Sequence, residues 1–206
     1  MTSKFKKTPH LYSSGMVAES FWFLEFKAFL KLKNNGLLTN EIRDEVIAAN
    51  LFGAPNETRA KRMFQYIKKR ADVMDGAGRT LFFDSDIRTQ KLMVLVCIMY
   101  TNRLFFEFMN EVYREKIILG YRFLERSDAT IFFRNKEVQS EKVAAWQDRT
   151  KIKLFQVYAK ILEDAGLLGS AAENRPIIPP LLDQRLRDYL KINGGQPYVA
   201  ALTGGM

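Results

Sequence analysis

Residues 92–102, LMVLVCIMYTN, form an eleven-residue stretch without a charged side chain. A membrane-spanning helix needs about 20 apolar residues, so this stretch is too short to cross a bilayer. It is also apolar all round, and a helix without a polar face belongs inside a protein. The chain must therefore supply a shell of other elements to cover it. With 206 residues, 47% of them hydrophobic and 16 of them Phe, it has the length and apolar content to do so.

The covering elements read as helices. Ser13 or Ser14 is placed to cap a helix to about Lys33, ended by Asn34, Asn35 and Gly36. Thr39 is a cap for a helix to about Asn50, and Gly53, Ala54 and Pro55 form a tight break. Asn56 caps a third helix to about Val73, and residues 75–78 read as a plain turn. Asp84 or Ser85 starts a long helical region through Leu119, broken near Asn102 and ended by Gly120. Asp128 caps a short helix, another runs around residues 140–146, and Thr150 opens a long one closed by Gly166. Leu167-Leu168 and Ile177-Ile178 are placed to pair as a short hairpin, and Pro180 to start a helix through Ile192. The expected fold is all-α. A basic arm is expected over residues 1–12, a single helical domain over 13–192 and a loose tail over 193–206.

Few kinds of catalysis fit this inventory. Cys97 is the only cysteine and sits in the apolar run, so it reads as a small core hydrophobe and no disulfide within the chain can form. His10 is the only histidine, which leaves no His-based metal cluster and no base for a serine or cysteine nucleophile in the body of the chain. Asp84 and Asp86 sit where carboxylates cap a helix start, and Glu107, Glu111, Arg103 and Arg114 read as an ion-pair row. No catalytic residues, metal or cofactor are expected. The opening MTSKFKKTPHLYSSG has no apolar run before a small-residue cleavage site, so the expected location is the cytoplasm and not a membrane.

Charge gives the positive indication. Lys and Arg number 32 against 23 Asp and Glu, a formal net charge of +9. That balance favours a polyanionic partner. It is concentrated in the third helix, where residues 57–70 hold six cations and one acid, Glu57. At 100° per residue, Ala60, Met63, Phe64, Ile67 and Ala71 share an arc of about 100°. Arg59, Lys61, Arg62, Lys68, Lys69 and Arg70 fill the rest, with Gln65 and Tyr66 as uncharged polar groups able to reach a base edge or phosphate. Arg59, Arg62, Lys69 and Arg70 are expected to be exposed on one face, with Lys61 and Lys68 nearer its edge. Residues 39–73 thus look like a helix-turn-helix pair. A second basic set, Arg149, Lys151 and Lys153, opens the last long helix, and residues 149–192 could be winged-helix-like. Lys4, Lys6 and Lys7 form a third, in the arm.

Four stretches carry a family resemblance. They are YSSGMVAESFWFLEFKAFL, AANLFGAPNETRAKRMFQYIKKR, DSDIRTQKLMVLVCIMYTNRLFFEFMNEVYREK, and TKIKLFQVYAKILEDAGLL followed by PIIPPL. In this order they resemble the BrxA family of the BREX phage-exclusion islands of bacteria. The resemblance implies a small helical protein with a core similar to the NusB antitermination factor, DNA binding without known catalysis, and work beside other BREX components. It carries no catalytic residues over. The expected partner is double-stranded DNA. RNA, by analogy with the NusB-like core, and an acidic protein surface within an assembly are the alternatives.

Overall fold

The structure, a computed structural model, describes residues 11–170 and 174–205. It is all-helical but for one two-stranded sheet. A 3-10 turn at Gly15–Ala18 leads into α1 (Phe23–Asn34), α2 (Thr39–Ala48), α3 (Glu57–Ala71), α4 (Gly76–Phe83) and α5 (Ile87–Thr101). Asn102 breaks the chain direction, and α6 (Arg103–Phe108) passes through a π-helical segment (Met109–Tyr113) into α7 (Arg114–Ile118). Then come β1 (Phe123–Leu124), α8 (Arg126–Gln139), α9 (Glu141–Ala144), α10 (Asp148–Ala165), β2 (Arg175–Pro176), α11 (Gln184–Ile192) and α12 (Gln196–Thr203).

The uncharged stretch lies where its composition requires. In α5 every residue from Leu92 to Met99 is buried, and α1, α3, α4, α6 and α10 pack around it. The start of α5 is fixed by Asp86, whose Oδ1 accepts from the Thr89 amide at 2.9 Å. At its end the chain turns by 115° into α6, and Asn102 caps the new helix by accepting from the Phe105 amide. No single helix among the described residues is long and apolar enough to cross a membrane.

Beyond the turn, aromatic rings join the second half of the core. Phe105 and Phe108 of α6 meet Tyr158 of α10 at centroid separations of 5.0 and 5.3 Å. Phe108 meets Phe132 of α8 edge-on at 5.3 Å, and Phe106 meets Tyr198 of α12 at 5.0 Å. Edge-to-face pairs at these separations add specific geometry to plain burial.

An ion cluster fastens α8 to this core. Lys136, 2% exposed, pairs with Glu107 at 2.7 Å and Glu111 at 2.6 Å. Glu107 also takes Arg103 Nε at 2.7 Å and the Tyr12 hydroxyl at 2.8 Å. The expected row of Arg103, Glu107 and Glu111 is therefore present, with Lys136 of another helix at its centre. Arg114 donates instead to Asn110.

Several local expectations are corrected. The first helix starts at Phe23, not after Ser13 or Ser14, because Glu19 is extended and Trp22 left-handed. The cap of α2 is Leu38, whose amide donates to Glu41 Oε2 at 2.6 Å, and Thr39 is the first helical residue. Residues 75–78 are not a turn alone: Asp75 accepts from the Gly78 amide and caps α4. Helix α8 is longer than the short helix expected, and Asp128 sits inside it, accepting from the Glu125 amide. Thr150 lies within α10, which opens at Asp148. The cap of α11 is Asp183 and not Pro180. Residues 196–203 are not loose; they form α12, with Tyr198, Ala201 and Leu202 buried.

The expected hairpin is also rearranged. Leu168 does bridge Ile177, but the ladder pairs Phe123 with Pro176 and Leu124 with Arg175. The strand after α10 thus completes a ribbon begun before α8. The Ile177 amide donates to the Arg122 carbonyl at 2.9 Å, and Tyr113 donates to the Ile178 carbonyl at 3.2 Å. This ribbon is held against the core and does not project as a wing would.

Candidate nucleic-acid interface

Helix α3 starts at a good cap, Asn56, whose Oδ1 accepts from the Arg59 amide at 2.8 Å. Its apolar arc behaves as the wheel requires: Ala60, Met63, Phe64, Ile67 and Ala71 are all buried. Lys61, Arg62, Gln65 and Lys69 are exposed, and Arg59, Tyr66 and Lys68 half-buried. The loop from α2, residues 49–56, is longer than the three or four residues of a helix-turn-helix turn. It is clasped by Asn50, which accepts from the Ala54 amide at 2.9 Å and donates to the Ala54 carbonyl at 3.0 Å.

Arg70 does not belong to the exposed face. It is 1% exposed, and its guanidinium pairs with Glu19 at 2.7 Å and donates to the Ser20 and Phe21 carbonyls at 2.8 and 3.1 Å. Burial pulls this guanidinium below its ordinary pKa, against the carboxylate of Glu19. The wheel held the signal, since Arg70 falls only about 20° from Met63. A long cation at the border of an apolar arc turns inward when a carboxylate waits there.

That carboxylate belongs to a strained segment. Trp22 has φ 50° and ψ 49°, a left-handed conformation costing a bulky residue about 1–2 kcal/mol. Contacts of its ring hold it there: the Arg59 and Arg70 guanidinia each lie 5.3 Å from the ring centroid, and Tyr66 stacks at 6.0 Å. Arg59 also donates to the Ala18 carbonyl at 3.1 Å. The ring of Tyr66 is thus engaged with Trp22, and Arg59 is anchored at the margin of the helix face.

Two depressions flank α3. One, of about 760 Å³, lies against α2 and is lined by Arg43, Lys61, Arg62 and Gln65 among others. The other, of about 340 Å³, lies between the 3-10 turn, Arg59 of α3, and Lys153, Gln156 and Lys160 of α10. The fold therefore brings the start of the α3 basic face beside α10. On α10, Arg149, Lys153, Gln156 and Lys160 are exposed and fall within about 60° of one another. Lys151 points the other way. It pairs with Glu137 of α8 and Asp148, which raise its pKa, so it leaves the basic face.

Not all of these cations are available to an anion. Lys61 pairs with Glu57 at 2.5 Å, Lys68 with Asp72 at 2.5 Å, and Lys160 with Glu163 and Asp164 at 3.0 Å each. Lys69 donates to the Thr101 carbonyl at 3.0 Å. Arg59, Arg62, Arg149 and Lys153 have no carboxylate partner among the described residues. Lys4, Lys6 and Lys7 of the arm, like His10, lie outside the described residues. Among the described residues no three His, Cys, Asp or Glu side chains are grouped to hold a metal ion.

The chain is similar to known proteins over nearly its whole length. The sequence profile of the BrxA family matches residues 10–194. A protein of Bacillus cereus named BREX protein BrxA is 39% identical over 194 residues, covering 94% of this chain and 97% of the relative. A crystal structure of an uncharacterized protein from Magnetospirillum magneticum superposes with a TM-score of 0.79 at 17% identity, over 94% of this chain and 99% of that one. At that identity the second likeness speaks for the fold alone.

Proposed function

The chain belongs to the BrxA family, proteins of the BREX phage-defence systems, and from that premise we propose that it serves defence by binding duplex DNA without catalysing a reaction. The observation that carries this reading is the joining of two cationic helices. Arg59 of α3 and Lys153 of α10 line one depression, Arg62 of α3 and Arg149 of α10 are exposed on the same two helices, and none of the four has a carboxylate partner among the described residues. Arginines and lysines in that state release condensed counterions when they meet phosphates, which gives affinity with little dependence on sequence. Gln65, exposed on the same helix, is the group placed to read a base edge. The protein acts in the cytoplasm, beside other components of the system.

The test is a salt titration of binding to duplex DNA. Each neutralised phosphate contributes about 0.9 to the slope of log affinity against log salt. Arg62→Ala with Lys153→Ala should flatten that slope by roughly two units and weaken binding to all sequences alike. Wild-type affinity and slope in a normally folded double variant would remove both helices from the interface. Single-stranded DNA and RNA in the same titration separate the duplex reading from an RNA-binding one: an RNA affinity above that for duplex DNA at matched salt would replace it.

A further inference from the structure

A third depression has a different character. It lies between α7, β1 and α8, holds about 500 Å³, and shares no lining residue with the basic pair. Large apolar side chains stand open in its lining: Leu119 is 67% exposed, Tyr121 59%, Ile131 59% and Phe123 42%. Isolated apolar residues on a surface are ordinary, but several together mark a contact site. Four acids line it, Glu111, Glu115, Glu125 and Asp128, against Lys116 and Arg122.

Ion pairs settle which of these charges stay open. Lys116 is held by Asp128 at 2.8 Å, by the Phe123 carbonyl at 3.0 Å and over the Tyr121 ring at 5.2 Å. Asp128 accepts from the Glu125 amide as well. Glu115 and Glu125 are exposed and neither is in an ion pair among the described residues, though Glu125 accepts from the Ser127 hydroxyl at 3.3 Å and, as the cap of α8, from a first-turn amide. Glu111 is already met by Lys136 and Asp128 by Lys116, which leaves Glu115 and Glu125 against Arg122 in the lining, on a chain whose total is +9.

We propose that this groove docks a segment of another protein, one that presents an aromatic or branched apolar side chain flanked by Lys or Arg. The apolar side chain fills the space between Leu119, Phe123 and Ile131, and its cationic neighbours meet Glu115 and Glu125 at the rim. An apolar centre with a charged rim is the general anatomy of a protein interface, the centre giving affinity and the rim choosing the partner. The molecule then has two poles: a basic one for DNA and an acidic, apolar one for a protein. This inference stands apart from the DNA reading, because the groove residues carry none of the expected salt slope.

The test places photo-reactive benzoylphenylalanine at Leu119, in the full chain, in cells carrying the complete defence system. Irradiation should join it to one other protein, at a segment with at least two Lys or Arg around an apolar side chain. That segment, made as a peptide, should bind the wild-type protein and lose about tenfold in affinity on Glu115→Lys with Glu125→Lys, as expected for two rim ion pairs. Glu115→Lys alone should keep the wild-type melting temperature, the double variant should lose a few degrees through the α8 cap at Glu125, and both should keep the wild-type DNA salt slope. Cross-links to residues 1–10 of the same chain, to a second copy, or none above those from a probe at exposed Leu24, would overturn the proposal. So would a peptide whose affinity ignores the charge reversal.

Discussion

Arg70 and Lys136 are charged side chains with relative exposures of 1% and 2%. Each is held by carboxylates on another part of the chain, Arg70 by Glu19 and Lys136 by Glu107 and Glu111. Breaking a buried pair costs more than the pair contributes, because the remaining charge stays out of water. Arg70→Ala should lower unfolding free energy by about 3–5 kcal/mol in urea titrations, since Glu19 and the Ser20 and Phe21 carbonyls lose their donor. Adding Glu19→Gln should recover part of that loss. A loss below about 1 kcal/mol, the range of a surface pair, would place Arg70 back on the open face. Arg62 is the contrast: it is exposed, and Arg62→Ala should leave stability within about 0.5 kcal/mol of wild type.

Between elements, close approach sets the constraints. Gly78 lies in the first turn of α4, and a Cβ built there would stand 2.9 Å from Tyr189 Cζ of α11. The Tyr189 hydroxyl donates to Asp75, the cap of α4. Alanine is the better helix former by about 1 kcal/mol, so propensity alone predicts that Gly78→Ala stabilises. Packing predicts the reverse, a loss of about 1–3 kcal/mol from forced displacement of the ring. A raised melting temperature in Gly78→Ala would show that α11 yields freely. At Gly166, which closes α10 with φ +85° and an open surround, only the backbone objects. Gly166→Ala should cost about 1 kcal/mol.

For the whole molecule, the ion cluster between α6 and α8 sets a pH response. Burial works to raise the Glu107 carboxyl, but hydrogen bonds from Lys136, Arg103 and Tyr12 outweigh it and hold the group below its ordinary value. Burial works to lower the Lys136 ammonium, and Glu107 and Glu111 outweigh it in turn, leaving it above its ordinary value. A depressed carboxyl contributes stability above its unfolded pKa, about 4.3, and loses it as pH falls through the folded value. A raised ammonium contributes below its unfolded pKa, about 10.4, and loses it as pH rises through the folded value. The urea midpoint should therefore be flat through neutrality and fall at both ends. Lys136→Met removes the principal partner of Glu107, so the depression of its carboxyl and the acid fall that depression causes should shrink. An acid limb identical to wild type would show that the cluster does not govern it.

The order of most helices was determined by local chemistry. Asn56, Asn102 and Gly166 end or start helices through bonds and dihedrals that span only a few residues, so the sequence displays them, whereas the start of α5, expected at Asp84 or Ser85, is set by Asp86, and Asp84 instead ends α4. The buried run in α5 and the apolar arc of α3 were legible for the same reason, since side-chain direction on a helix follows from spacing. The cationic sets of α3 and α10 were legible as sets, and Lys151 stood on the opposite side of the wheel from Lys153. Tertiary structure alone decided what met across the chain. It set the left-handed Trp22 that carries Glu19 to Arg70, Lys136 between two glutamates of another helix, and the pairing of Phe123-Leu124 with Arg175-Pro176. It ordered residues 196–203 as α12, and it brought α3 and α10 to one depression. Caps and periodicity are short-range and appear in one dimension; ion pairs between distant helices depend on distances that only the packed core fixes.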